Sequence, residues 1–249
     1  MNSFNNLIKS CLSKIGIVIR KEDPAWSFVP YSSTPEGIYQ ELLKKHKIDL
    51  ILDIGASTGY WAANLRENGY KGRIVSFEPQ DTACNQIVAR SKLDANWELM
   101  RFAIGDKDEN ANFHLSNHSE SSSLSEMLKS HEDAFPASYN TNENIQVTVR
   151  KLDTLLPNIL NKEENIFTKI DVQGFEQKVL SGANESLKKI KMLQLEISFK
   201  KLYADDVLFN ELYKYMNDLG FYLIYISPGF KNDQTGELLQ VDAIFVRKS

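Results

Sequence analysis

From Asp49 onward the chain alternates short apolar runs with helix-length amphipathic stretches. That rhythm restricts it to parallel strands joined by crossover helices, since parallel neighbours cannot be linked by tight turns. Leu50-Ile51-Leu52-Asp53-Ile54 is the first run and ends at Gly55; the helical stretch after it reaches Leu65 and stops at Gly69. Arg73–Phe77 predicts a second strand, Asp81–Leu93 a second helix and Glu98–Ala103 a third strand. The rhythm resumes with strands over Asn165–Ile170 and Lys191–Leu195, separated by a helix over Phe175–Ile190 that Gly182 interrupts. Asp206–Leu219 carries Leu208, Leu212, Tyr215, Met216 and Leu219 on one helical face, with Gly220 as its stop. Phe221–Ile226 and Val241–Val246 then flank a turn-rich stretch where no helix fits, so they pair antiparallel. The expected fold class is α/β: a Rossmann-like, mostly parallel seven-stranded sheet with an antiparallel C-terminal hairpin and helices on both faces.

Two segments depart from the rhythm. Between Gly105 and Asn144 the chain is crowded with Ser, Asn, Asp and Glu, and Asn112–Leu115 and Ile145–Val149 read as short strands bracketing a polar loop. At the other end, Leu7, Ile8, Cys11, Leu12, Ile15, Val18 and Ile19 are spaced like one face of a helix. Residues 22–36, rich in Pro and Ser, read as a connection, and Thr34-Pro35 as the start of the next helix. The expected organisation is a helical extension over 1–46 and a catalytic domain over 47–249, with a polar insertion at about 105–149. The N-terminal helix is expected to pack on its own domain or on a second copy in a homodimer, with weak contact to a membrane surface as a third reading.

Composition excludes several classes. The chain has 249 residues, of which 42% are apolar and 25% charged, which is ordinary globular usage. Its formal net charge of −4 offers no electrostatic footprint for nucleic acid, so no nucleic-acid partner is expected. No run is apolar enough for a transmembrane segment, and lysines interrupt any signal-peptide core. Cys11 and Cys84 form no metal-type spacing and read as free thiols of a cytoplasmic protein.

Chemistry concentrates where strands become helices, the edge at which open α/β sheets bind ligands. In Asp53-Ile54-Gly55-Ala56-Ser57-Thr58-Gly59-Tyr60, Gly55 permits a tight turn, and N–H groups at the helix start favour a carboxylate. S-adenosylmethionine supplies such a carboxylate, together with an ammonium that Asp53 or nearby carbonyls could hold. Glycines at 55 and 59 do not spell the closer pyrophosphate cradle of dinucleotide sites. Glu78, ending the second strand, is placed to accept from both ribose hydroxyls, with Pro79 flat against adenine. Ala103, Ile104 and Asp106 fall where an adenine edge would be read.

With these motifs the chain resembles the FkbM-type methyltransferases. The likeness rests on Asp53-Ile54-Gly55-Ala56 with Gly59, on Phe77-Glu78-Pro79, on Ala103-Ile104-Gly105-Asp106, and above all on Lys169-Ile170-Asp171-Val172-Gln173-Gly174-Phe175-Glu176. Val179–Ala183 and Leu195-Glu196 continue it, over roughly residues 48–200. The resemblance implies the class I methyltransferase fold, S-adenosylmethionine as cofactor, and O-methylation of a sugar, a glycan or another small hydroxylated metabolite. Where the family pattern often has glutamate, this chain has Gln173.

A hydroxyl acceptor must be aligned behind the methyl carbon and must lose its proton, which calls for positioning and a placed base. Asp171, leaving the fourth strand, is the first choice for base or acceptor anchor, with Lys169 and Glu196 beside it as catalytic candidates. Gln173, Glu176 and Ser122 are candidates for holding the acceptor, and His114, on a strand, is an alternative base. His118 and His131 read as surface residues of the insertion, and no metal-ligand motif is evident. Two other classes compete: an NAD(P)-dependent oxidoreductase on the same sheet, and a non-catalytic nucleotide-binding module.

Overall fold

The structure, a computed structural model, describes residues 17–22, 25–30, 34–161, 165–232 and 234–248. The chain divides into two compact units, one of Met1–Lys47 with Leu65–Tyr70 and one of Ile48–Asn64 with Lys71–Ser249. In the smaller unit, β1 (Ile17–Glu22) and β2 (Ala25–Pro30) pair antiparallel, and α1 (Pro35–Lys45) follows. Thr34 caps that helix as expected, its Oγ1 accepting from Gly37 N at 3.1 Å, with Pro35 at the first helical position. The N-terminal helix predicted through Ile19 lies outside the described residues up to residue 16. Its last three positions belong instead to β1, and part of the expected connection is β2.

The larger unit is built on a seven-stranded sheet. Its members in chain order are β3 (Leu50–Ile54), β4 (Arg73–Phe77), β5 (Trp97–Met100), β9 (Ile166–Ile170), β10 (Ile190–Ser198), β11 (Phe221–Pro228) and β12 (Gln240–Arg247). Their spatial order is β11-β12-β10-β9-β3-β4-β5, parallel except for β12, which runs antiparallel to both of its neighbours. The expected Rossmann-like class I methyltransferase fold with its antiparallel C-terminal hairpin is what the chain adopts. Every residue of β3 and β9 is buried, as parallel strands covered on both faces must be. That double burial is why these strands read as continuous apolar runs instead of alternating ones.

Crossover helices supply the cover: α2 (Tyr60–Glu67), α3 (Asp81–Ser91), α5 (Leu152–Ile159), α6 (Glu176–Ser181), α7 (Asn184–Leu187) and α8 (Phe209–Asp218). Leu152, Leu156 and Ile159 of α5 and Leu212 and Met216 of α8 join Leu52, Ile54 and Leu193 of the sheet in one core. The helix predicted over 175–190 is two short helices divided at Gly182-Ala183. Because the chain begins the sheet at β3, builds outward to β5 and returns to β9, the strand order reverses between β3 and β9. That reversal opens a crevice at their C-terminal ends.

The insertion is more ordered than its composition suggests. β6 (Ala103–Ile104), β7 (Glu109–Ser116) and β8 (Asn140–Arg150) form a separate sheet in the order β6-β8-β7. A 3-10 turn at Ser119–Ser121 and the short α4 (Lys129–Ala134) lie between β7 and β8. The strand predicted over 98–103 is thus broken, its last residue turning into this second sheet. Among the described residues no helix is long and apolar enough to cross a membrane.

Candidate active site

The turn after β3 wraps inward. Gly55 N and Ala56 N both donate to Phe77 O at 3.1 Å, and Ser57 N donates to Glu78 Oε2 at 2.8 Å. These three N–H groups, expected to face a ligand carboxylate, are therefore committed to β4. Gly55 has φ +77°, and a Cβ on it would collide with the carbonyl oxygen of Asp171. Only glycine lets the β3 and β9 ends approach this closely. Ser57 itself sits at φ 47°, with its Oγ buried and without a hydrogen-bond partner.

Glu78 directly follows β4, with its second oxygen accepting from Gln80 N at 2.9 Å. Burial pushes its carboxyl up to about 7, against the pull of those two N–H groups. A cavity opens over this surface. Its floor includes Gly55, Ser57 and Asp171, Glu78 and Pro79 line one side, and Phe102, Ala103 and Ile104 line another. Phe113, Ser122 and Leu124 of the insertion close it from above.

The end of β9 carries the charge. Lys169 and Asp171, two positions apart, are joined Nζ to Oδ2 at 2.9 Å. Lys169 Nζ also lies 4.0 Å from Asp53 Oδ1, an oxygen without a hydrogen-bond partner, and 5.6 Å from the centroid of the Trp61 ring. Burial disfavours the ammonium, but Asp171 and Asp53 outweigh it and hold its proton above the ordinary lysine range. Burial likewise opposes the Asp171 carboxylate, yet the Lys169 charge and hydrogen bonds from Lys169, Gln173 and Glu196 draw it below the usual range.

Gln173 is the hub. Its backbone is left-handed at φ 56°, and its Nε2 donates to Asp171 Oδ1 at 2.8 Å and to Glu196 Oε2 at 2.6 Å. Its Oε1 accepts from the Tyr203 hydroxyl at 3.0 Å. The insertion clamps the same turn, with Ser123 Oγ 2.9 Å from Val172 O and 2.7 Å from Gln173 O. Gly174, at φ +87°, leaves room against the Tyr203 side chain that a Cβ would fill. Glu196, on β10, also accepts from Gln240 Nε2 at 3.0 Å. Burial and the neighbouring charges of Asp171 and Asp242 push its carboxyl well above the usual range.

A family model described as "Methyltransferase FkbM domain" matches residues 53–223. The chain belongs to the FkbM methyltransferase family. Several solved structures are similar to it at low identity. One is a putative RNA methyltransferase from Pyrococcus horikoshii (12% identity, TM-score 0.44, covering 87% of this chain and 86% of that one). Another is an rRNA methylase from Streptococcus thermophilus (12%, 0.48, 87% and 98%). A third is magnesium protoporphyrin IX methyltransferase from Synechocystis PCC 6803 with bound SAM (9%, 0.45, 86% and 79%). Among curated proteins nothing matches.

As an FkbM methyltransferase the protein uses S-adenosylmethionine, which supplies an electrophilic methyl group when bound. The cavity fits that donor. Glu78 retains free lone pairs for ribose hydroxyls, Ser57 Oγ lacks a partner, and Pro79, Phe102, Ala103 and Ile104 offer apolar contact to a base. Phe102 and Phe113, which also line it, carry no sequence signal beyond their apolarity, whereas Phe175 lies within the Lys169–Glu176 block.

Of the other residues expected in the FkbM site, all but Ser122 fall outside the cavity wall. Asp53 is fully buried, its Oδ2 accepting from Ser76 Oγ at 3.1 Å, so it supports Lys169 from below and is not in that wall. Ala56 and Gly59 shape the turn, and Tyr60 is 65% exposed beneath Arg90. Asp106 faces Lys178 at 3.7 Å. Glu176 caps its own turn, its Oε1 accepting from Val172 N at 3.0 Å and Gly174 N at 3.3 Å. Ser122 is in the wall, its Oγ accepting from Ser116 N. His114 is not: its strand neighbour Phe113 faces the cavity, and strand alternation turns His114 to the other side.

Proposed function

We propose that this FkbM methyltransferase transfers its methyl group to a hydroxyl of a sugar, glycan or related small metabolite. The observation that carries the reading is the Asp171–Gln173–Glu196 bridge, in which two carboxylates of opposite protonation preference share one amide nitrogen beside the donor cavity. Asp171, held ionised by Lys169, is the group able to take the proton that a hydroxyl loses as it is methylated. Glu196, which keeps its proton, donates a hydrogen bond that steadies Asp171, and Gln173 fixes the separation of the two. The net charge of −4 favours a small neutral acceptor over a nucleic-acid backbone. Positioning supplies the rest, since methyl transfer asks for little covalent work from the protein.

The test is calorimetric titration with S-adenosylhomocysteine and, separately, with NAD. Transfer of labelled methyl from S-adenosylmethionine to a panel of sugars, phenols and amines follows. Binding of S-adenosylhomocysteine with label on a sugar hydroxyl supports the reading. Label only on amines or phenols would overturn it.

A further inference from the structure

A second cavity lies on the other side of Gln173, within the larger unit. It shares Gln173 and Glu120 with the donor cavity, and Glu196 and Gln240 form its inner end. Phe230, on the loop between β11 and β12, lies in its wall with its ring stacked on His131 (centroids 5.3 Å apart, planes at 22°). Phe135 packs edge-on to Phe230 at 6.1 Å and to His118 at 5.7 Å, so one side of the chamber is a continuous aromatic surface. Glu120 and Lys231, both exposed, stand at its open side.

His131 is the group that the chemistry so far does not use. It is 3% exposed, lines this cavity, and its Nδ1 has no hydrogen-bond partner. A buried ring nitrogen without a partner is costly, and such groups are normally satisfied by protein, water or a ligand. Burial drives its proton affinity down to about 4, so the ring is neutral and offers one donor and one acceptor nitrogen. A hydroxyl can pair with either. Aromatic surface on one side and several amide, carboxyl and imidazole groups on the others suit a ring that is apolar on its face and hydroxylated at its rim. A phenol would leave most of those polar groups unpaired.

We propose that this chamber is the acceptor-ring subsite: a hydroxylated six-membered carbohydrate ring lies on Phe230 and Phe135, hydrogen-bonds His131, and presents one hydroxyl to the Asp171–Gln173–Glu196 bridge. The assignment rests on the methyltransferase reading above and adds where the ring sits and which side chains select it. Donor and acceptor chambers then meet at Gln173, past which the reacting hydroxyl reaches the donor side: its O–C bond forms in line behind the methyl carbon as the sulfonium S–C bond breaks, S-adenosylhomocysteine leaves, and Asp171 takes the proton.

The experiment uses the full chain saturated with S-adenosylhomocysteine. It is titrated with an equimolar pool of the methyl glycosides of glucose, galactose, mannose, rhamnose and fucose, with phenol and catechol as a separate arm. The chain has four histidines, so each ring-proton resonance can be assigned by single substitution. The glycoside pool is expected to shift His118 and His131 while leaving His46 and His114 in place. Phe230→Leu, and independently Phe135→Leu, should weaken that response about tenfold with S-adenosylhomocysteine affinity unchanged, as loss of an aromatic face predicts. Failure to bind S-adenosylhomocysteine would sink the methyltransferase reading itself. Normal donor binding with no response to the glycosides, a response to phenols alone, or an undiminished response in both leucine variants would overturn the subsite only.

Discussion

The Lys169 ammonium lies 2.9 Å from the Asp171 carboxylate, and the two residues face the same way because they are two positions apart at the end of β9. A buried lysine of this kind keeps its charge only through its partners. Removing Asp171's charge therefore exposes what the pair does for the reaction and for the fold.

Asp171→Asn should leave S-adenosylhomocysteine affinity unchanged and lower turnover by about 10²–10⁴-fold, the usual contribution of a placed base. It should also destabilise the fold toward the lower end of about 3–5 kcal/mol, since Lys169 retains only Asp53 at 4.0 Å. Calorimetry, a methyl-transfer assay and urea denaturation read the three effects separately. Loss of donor binding would move Asp171 to the cofactor side.

Gly55→Ala places a methyl group onto the Asp171 carbonyl in a backbone region that disfavours side chains by about 1–2 kcal/mol before any clash. The variant is expected to unfold at lower urea and to lose measurable S-adenosylhomocysteine binding. An alanine variant that binds normally would show that the β3 and β9 ends are not locked together.

Glu78 predicts a pH dependence of donor binding. Its carboxyl, pushed up to about 7 by burial, must be ionised to accept from two ribose hydroxyls. Binding therefore releases a proton below that pH, and affinity for S-adenosylhomocysteine should rise as pH increases toward about 7 and then level off. Glu78→Gln should abolish the slope and weaken binding by about 1.5–3 kcal/mol, the range for a hydrogen bond to a charged group. Calorimetry in buffers of different ionisation enthalpy measures the proton directly.

Glu176 predicts a pH dependence of stability that has the same cause and runs in the opposite direction. Burial pushes its carboxyl up to about 8 in the folded chain, well above the ordinary glutamate range that it keeps when unfolded. In that interval the folded state holds a proton that the unfolded state has released, so stability falls as pH rises through it. Glu176→Gln keeps an oxygen for Val172 N and Gly174 N without the titration. Urea midpoints between about pH 5 and about pH 8 should slope less in the variant than in the wild type.

What the sequence disclosed follows from how each segment is buried. β3, β4 and β9 were legible because helices cover both faces and leave mostly apolar residues. β7 and β8 were underestimated because one face of their sheet is exposed and carries Glu, Asn and Thr, the same residues that mark loops. The break at Arg101-Phe102 left no trace in apolarity, since both halves of the predicted strand are strands, though of different sheets. In the N-terminal segment, Val18 and Ile19 fit a helical spacing and a strand equally well over so short a run.

The site divides in the same way. Asp171, Gln173 and Glu196 sit at strand ends, where topology alone brings them together. His131, Phe230 and Tyr203 meet only through the folding of the insertion against the C-terminal strands, which no spacing encodes. Asp53 looked like a cofactor ligand because it lies in the turn motif, but strand alternation points it into the protein beside Ser76.

Asp171 N donates to Ile54 O, and the space beside Gly55 is filled by the Asp171 carbonyl, so the two turns that form the floor of the donor cavity are locked together. The roof comes from the three-stranded insertion and the loop between the last two strands, and the insertion meets the floor through side chains such as Ser123 Oγ on Val172 O and Gln173 O. Enzymes built this way can acquire new acceptors by redrawing the roof alone, and attempts to redirect this protein should graft there and leave the floor untouched.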